Sequence, residues 1–141
     1  MIRRFEAADM DAVIQIWLDA SIQAHDFIEP QYWRSKTGDM RDVYLPNADT
    51  YVYEAGGVVT AFLCLHENSL AALFVDPAAQ GRGAGRALMG HAKALRDQLR
   101  LTVYKDNQRA VDFYRKHGFE AVSEQTDQHT GHTELVMEFP A

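Results

Sequence analysis

The chain has a single cysteine, Cys64, no apolar stretch of membrane-spanning length and no surplus of positive charge. Each absence removes a class of protein. A lone cysteine forbids an intrachain disulfide and any Cys-x-x-Cys metal site, so no metal is expected and a reducing, cytoplasmic setting is. Met1-Ile2-Arg3-Arg4-Phe5 carries charge but no apolar core of signal length follows it, and a bilayer span needs about 20 apolar residues, so no membrane partner is expected. A net charge of −6 argues against general affinity for nucleic acid or anionic lipid. No repeat, linker or low-complexity segment divides the 141 residues. Residues 1–141 therefore read as one domain, long enough to bury about 70 % of its unfolded surface.

What the sequence does contain is a strand, a glycine loop and a helix in immediate succession. The apolar run Leu70 to Val75 reads as a buried strand, Asp76-Pro77 stops it, and Gly81, Gly83 and Gly85 lead into a helical pattern. Closely spaced glycines let a backbone approach a ligand without Cβ interference, and the first N–H groups of a helix have no intrahelical partners. Such donors suit phosphate oxygens. Two common phosphate loops do not fit. A Walker loop requires Gly-Lys, which occurs nowhere in the chain, and Gly-x-Gly-x-x-Gly would need glycine where Leu88 or Arg86 stands.

Around this stretch the pattern predicts a strand at Ile2 to Phe5 and a helix capped by Asp9, with Met10, Val13, Ile14, Trp17 and Ser21 on its inner face. A loop and a helix starting at Pro30 follow, rich in aromatics: Phe27, Tyr32, Trp33 and Tyr44. Thr50 to Ala55 and Val58 to Leu65 form a hairpin about Gly56-Gly57. After the strand at Leu70 comes a helix over Ala84 to Leu99, packed through Ala84, Leu88, Ala92, Leu95 and Leu99, with Gly90 costing about 1 kcal/mol relative to Ala. A strand from Arg100 to Tyr104, a helix capped by Asp106 or Asn107 and closed by Gly118, and a last hairpin about Thr130-Gly131 complete an α/β chain with a mixed, largely antiparallel sheet.

Charge is divided along the chain. Gly81 to Lys116 holds nine Lys/Arg and three acids, leaving five of the fourteen basic and seventeen of the twenty acidic residues elsewhere. A basic half with a phosphate loop suits a polyanionic cofactor, and an acidic remainder favours a cationic acceptor.

Gln80-Gly81-Arg82-Gly83-Ala84-Gly85, preceded by Leu73-Phe74-Val75-Asp76-Pro77, resembles the acyl-CoA pyrophosphate loop of the GNAT superfamily of N-acetyltransferases. Asn107 to Phe119 resembles that family's second segment, Asn-x-x-Ala-x-x-Phe-Tyr-x-x-x-Gly-Phe, and matches it at every fixed position. The early His25-Asp26-Phe27-Ile28 is similar to small bacterial members of the YjaB and YiaC type.

The resemblance implies a GNAT-like sheet flanked by helices and splayed between the strands at about 70–75 and 100–104, with acetyl-CoA as co-substrate. It implies that the backbone of Leu73, Phe74 and Val75 pairs with the pantetheine arm. The N–H groups of Gly81, Arg82, Gly83, Ala84, Gly85 and Arg86 would hold the pyrophosphate, with charge from Arg82 and Arg86, and the Asn107 side chain would contact the pantetheine. Tyr114 would act as general acid towards the leaving thiolate. Some relatives place a Glu where Thr102 stands, so the base is sought elsewhere: Glu67 and His66 first, then Glu54. The implied acceptor is a small-molecule amine or a protein lysine, and the expected assembly a monomer or homodimer. Two alternatives are a non-catalytic acyl-CoA sensor, which retention of Tyr114 opposes, and an aminoacyl-tRNA-acetylating toxin, which the placement of basic charge in the cofactor half opposes. Cys64, inside an apolar strand, reads as packing rather than as an acyl carrier.

Overall fold

A computed structural model describes residues 1–141. Seven strands form one sheet: β1 (Ile2–Arg4), β2 (Asp49–Ala55), β3 (Val58–His66), β4 (Ser69–Val75), β5 (Leu99–Tyr104), β6 (Glu120–Thr126) and β7 (Thr133–Phe139), in the order β1-β2-β3-β4-β5-β7-β6. Every pairing is antiparallel except β4 with β5. The β2–β3 hairpin turns at Gly56 (φ 58°) and Gly57 (φ 80°), the two positive angles that a type I′ turn needs.

Helices cover both faces. On one lie α4 (Ala84–Leu95) and α5 (Gln108–Lys116), over an aliphatic layer that includes Leu63, Leu65, Leu88, Met89, Ala92 and Leu101. On the other lie α1 (Met10–Ala24), α2 (Pro30–Ser35), the three-residue α3 (Thr37–Asp39) and a π-helical turn at Met40–Tyr44, over a layer rich in aromatics: Trp17, Trp33, Phe62 and Tyr104. No helix is long and apolar enough to cross a membrane, and no cluster of three His, Cys, Asp or Glu side chains is placed to hold a metal ion.

Two local expectations are corrected. The helix that begins at Ala84 ends at Leu95, not Leu99. Leu95 is exposed, and Leu99 starts β5, where it pairs with Phe139 and is 2 % exposed. Ala92 and Leu99 are seven apart, so they fit a helical face as well as a strand start, and the alternation Leu99, Leu101, Val103 prevails once β7 is available. Arg96 fixes the break: its Nε donates to Glu67 O at 2.7 Å and its Nη2 to Asp49 Oδ2 at 3.1 Å. Asp9, expected as an N-cap, has helical angles (φ −85°, ψ −8°) and ends a 3-10 turn at Ala7–Asp9 that runs into α1. Its carboxylate accepts the Glu6 N–H at 2.8 Å and both Arg3 Nη groups at 2.8 and 2.9 Å. The Arg3 hydrogen bond holds that carboxyl below its ordinary range.

Candidate active site

The two central strands are joined by a single register position, Ser69 opposite Arg100. Beyond it β4 and β5 diverge, so one edge of β4 carries backbone N–H and C=O groups with no strand beside them, a feature ordinary sheets avoid at their centre. Leu73, Phe74 and Val75 are only half-buried for the same reason. A bulge at Ala71, between the Leu65–Leu70 and Cys64–Ala72 pairs, bends β4 where the divergence begins. The gap opens into a cavity of about 820 Å³ lined by Leu70–Val75, by Thr102, Val103 and Tyr104 of β5, and by the glycine loop and α5.

The loop is built by local constraints. Asp76 Oδ1 accepts the Ala78 N–H at 3.0 Å and caps a 3-10 turn at Pro77–Ala79. The chain then passes through Gly81 (φ 80°) and Gly83 (φ 88°), the latter as N-cap of α4. A Cβ at either glycine would meet no protein atom within 4 Å, so the room beside them belongs to the cavity mouth. Gly85 instead serves close packing, since a Cβ there would lie 3.6 Å from Val75 and 3.7 Å from Phe113, where α4, β4 and α5 converge. The free N–H groups at the start of α4 point out of the same turn. Arg82 and Arg86 are exposed beside it. His117 registers the local field: burial, then Lys93, Lys116 and Arg86, hold its pKa below the ordinary histidine value. A glycine cradle, a helix N-terminus and arginines fit the pyrophosphate of an acyl-CoA.

From α5, Tyr114 and Asn107 reach the cavity. The Tyr114 ring packs edge-on against Phe113 (5.5 Å) and Phe119 (5.7 Å). The residue is half-buried and lines the cavity, and desolvation alone pushes its pKa up to about 12. The phenol is therefore protonated at neutral pH. Asn107 caps α5, its Oδ1 accepting the Ala110 N–H at 3.3 Å, and its Nδ2 lies 3.3 Å from His25 Nε2.

A second cavity of about 580 Å³ adjoins the first on the α1–α2 side, sharing Trp33, Tyr44, Ala71, Ala72 and Phe74 with it. Its walls include Trp17, Tyr32 and Cys64, and its polar rim includes Lys36, Asn47, His66, Ser69 and His129. No Asp or Glu lines it, so the acidic remainder of the sequence is not gathered there. Carboxylates approach from the β6–β7 side instead: Asp127 and Glu134 both raise the Tyr32 pKa, after burial, and Asp127 accepts a hydrogen bond from Tyr104 Oη. The Cys64 thiol is buried beside Thr50 Oγ1 (3.4 Å), and desolvation pushes its pKa up to about 11.

The sites expected from sequence thus fall into groups. Leu73, Phe74, Val75, Gly81, Gly83, Ala84, Gly85, Arg86, Asn107 and Tyr114 line one cavity, while Arg82 lies just outside its wall. His66 lies on the second cavity, and Glu67, in the β3–β4 turn at φ 54°, lines neither. Glu54 is engaged with Arg3 at 3.3 Å, away from both cavities. Sequence reading placed Gln80 in the loop motif without a role; it ties the loop together by donating to Gln23 Oε1 (3.1 Å) and accepting from Arg109 Nη1 (3.2 Å). That reading passed over Tyr104 and Glu134 at the cavity, and Asp127, which accepts from Tyr104 Oη. Proximity in the fold alone marks them.

A seven-stranded sheet parted at its centre above a glycine-loop helix is the architecture of an acyl-CoA-dependent transferase fold. Residues 46–121 match the acetyltransferase (GNAT) domain family. The chain is 36 % identical over 141 residues to the peptidyl-lysine N-acetyltransferase YiaC of Escherichia coli K12, covering 99 % of this chain and 97 % of that protein. It is 33 % identical over 119 residues to the peptidyl-lysine N-acetyltransferase YjaB of the same strain, covering 84 % and 80 %. Among solved structures, apo YjaB from Escherichia coli superposes with a TM-score of 0.87 at 28 % identity over 99 % of this chain and 96 % of that one. The PaiA N-acetyltransferase of Thermoplasma acidophilum, in complex with coenzyme A, shares the fold (TM-score 0.81, 20 % identity, 98 % and 96 % covered). The chain belongs to the GNAT superfamily and is an N-acetyltransferase.

Proposed function

We propose that residues 1–141 form one catalytic unit that moves the acetyl group of acetyl-CoA directly onto a primary amine, with a protein lysine as acceptor. The observation that carries the reading is the parted centre of the sheet: an unpaired β4 edge, the glycine cradle and the Tyr114 phenol all open on one cavity. Two curated relatives named peptidyl-lysine N-acetyltransferases support lysine as the acceptor.

The free edge of β4 pairs with the pantetheine arm as a neighbouring strand would, and a β4 N–H facing the gap polarises the thioester carbonyl. Asn107 and the Gly81–Arg86 donors hold the rest of the cofactor, with Arg82 adding charge from outside the wall. The acceptor enters through the second cavity, whose shared wall at Ala71 and Ala72 brings its amine to the gap. That cavity has aromatic walls and Lys36 as its one formal charge, which disfavours an ammonium and favours the neutral amine. His66 on the rim takes the proton through water; Glu67, lining neither cavity, is the weaker candidate. The amine nitrogen bonds to the acetyl carbon, the carbon–sulfur bond breaks, and Tyr114 Oη–H donates to the departing sulfur. Cys64 carries no acyl group: at a pKa of about 11 it is a thiol, not a thiolate, at neutral pH.

The test is acetyl transfer read by mass spectrometry on lysine peptides, peptides with free N-termini, amino acids, polyamines and aminoacyl-tRNA. Nε-acetyl-lysine as the main product is expected. Tight acetyl-CoA binding with no product on any acceptor would replace this reading with a sensor.

A further inference from the structure

His25 sits at the end of α1, 6 % exposed, and makes two hydrogen bonds that together fix its tautomer and the orientation of its partner amide. Its Nδ1 lies 2.8 Å from Ser21 O. A carbonyl has no proton to give, so Nδ1 carries the hydrogen and Nε2 of the neutral ring presents a lone pair. Asn107 Nδ2, 3.3 Å away, donates to that lone pair. The amide orientation is then fixed from both ends, because Oδ1 must accept the Ala110 N–H. This leaves Asn107, which lines the cavity, with one N–H and one lone pair unused, a matched donor and acceptor for an amide of the pantetheine arm. The imidazole cannot turn away: it stacks on Trp33 (4.8 Å, 27°) and meets Phe27 and Tyr104 edge-on at 5.8 and 5.2 Å.

We propose that His25 is a positioning residue for the cofactor, acting through Asn107. It joins α1 to the N-cap of α5 across the parted sheet, so that the acceptor-side helices and the cofactor-side helix share one hydrogen-bonded link. The inference rests on the reading of the cavity as an acetyl-CoA site.

The test is calorimetric acetyl-CoA binding to the full chain as wild type, His25→Phe, His25→Gln, Asn107→Ala and the His25→Phe/Asn107→Ala pair. Phenylalanine keeps the stack on Trp33 and removes both hydrogen bonds; glutamine can still present an oxygen to Asn107. Each of His25→Phe and Asn107→Ala should raise Kd about three- to tenfold, the range of one neutral hydrogen bond. The pair should lose no more than Asn107→Ala alone, and His25→Gln should recover most of the His25→Phe loss. In parallel, ¹⁵N spectra of the wild type should show His25 as the Nδ1–H tautomer. Multiplying losses in the pair, wild-type affinity in His25→Phe, or an Nε2–H tautomer would each overturn the assignment while leaving the acetyl-CoA site intact. A wild type that binds no acetyl-CoA would remove the underlying reading, and this one with it.

Discussion

One strand, β4, faces two differently made halves of the protein. Leu73 and Val75 turn to the layer under α4 and α5, where Leu63, Leu65, Leu88, Met89 and Ala92 are fully buried. Ala72 and Phe74 turn to the layer under α1 and α2, where Trp17, Trp33, Phe62 and Tyr104 carry much of the volume and a cavity of about 580 Å³ remains. On the regular twelve-residue α4, Ala84, Leu88, Met89 and Ala92 are all buried, and that layer is closed. Flat rings meeting edge-on beneath a six-residue helix, a three-residue one and a π-turn do not close so completely. The chemistry follows the packing. In the proposed reading, the face under α4 and α5 carries the cofactor and the aromatic-walled cavity under α1 and α2 is the acceptor's approach.

The largest expected effect separates chemistry from platform. Tyr114→Phe should lower kcat by about 10²- to 10⁴-fold, the span of a positioned proton donor, with acetyl-CoA affinity unchanged. Equal losses in turnover and affinity would make Tyr114 part of the wall. Next, Leu88→Ala in the closed layer should cost about 2–5 kcal/mol in urea unfolding. Tyr32→Ala on the half-buried acceptor rim should cost less than about 1 kcal/mol while raising the acceptor KM. Similar stability losses at both positions would erase the contrast between the faces. Gly83→Val introduces a branched side chain at φ 88°, where its Cβ meets no protein atom within 4 Å. Its stability cost should be about 1–2 kcal/mol of backbone strain, whereas acetyl-CoA binding should be abolished because the side chain fills the cradle. Unchanged calorimetric affinity would place the pyrophosphate elsewhere.

The smallest effect is on pH. Burial holds the His25 pKa below 6.5, against the Ser21 carbonyl bond, and no charged side chain contributes; Trp33, Phe27, Tyr104 and Asn107 face the ring. The unfolded chain therefore binds this proton more readily than the folded one. The stabilisation is complete above pH 6.5 and fades as pH falls through the lowered folded value. His25→Phe should flatten that part of the stability profile, and an unaltered acid slope in the variant would assign it to other groups.

The cofactor side was legible because its instructions are local. Positive φ at Gly81, Gly83 and Gly118 and the Asn107 cap each act over a few residues, so sequence order alone reveals them. The family resemblance rested on these same positions. The acceptor side was not legible, because its contacts join distant positions. His25 meets Asn107 across 82 residues and Tyr104 meets Asp127 across 23. The end of α4 was misplaced for a related reason: periodicity continued through Leu99, and only pairing with β7 decided in favour of a strand. Where the acids gather is likewise a matter of the fold: counted along the chain they are in excess, yet none lines the second cavity.

The central claim is that the gap between β4 and β5 receives the cofactor. Hydrogen exchange on the intact chain, with and without saturating acetyl-CoA, tests it most directly, because backbone N–H groups left unpaired along β4 exchange freely until an occupant pairs with them. The account predicts new protection at Leu73–Val75 and across Gly81–Arg86, with β1, β2 and β6 unchanged. Protection confined to other segments, at a ligand concentration where binding is complete, would contradict it.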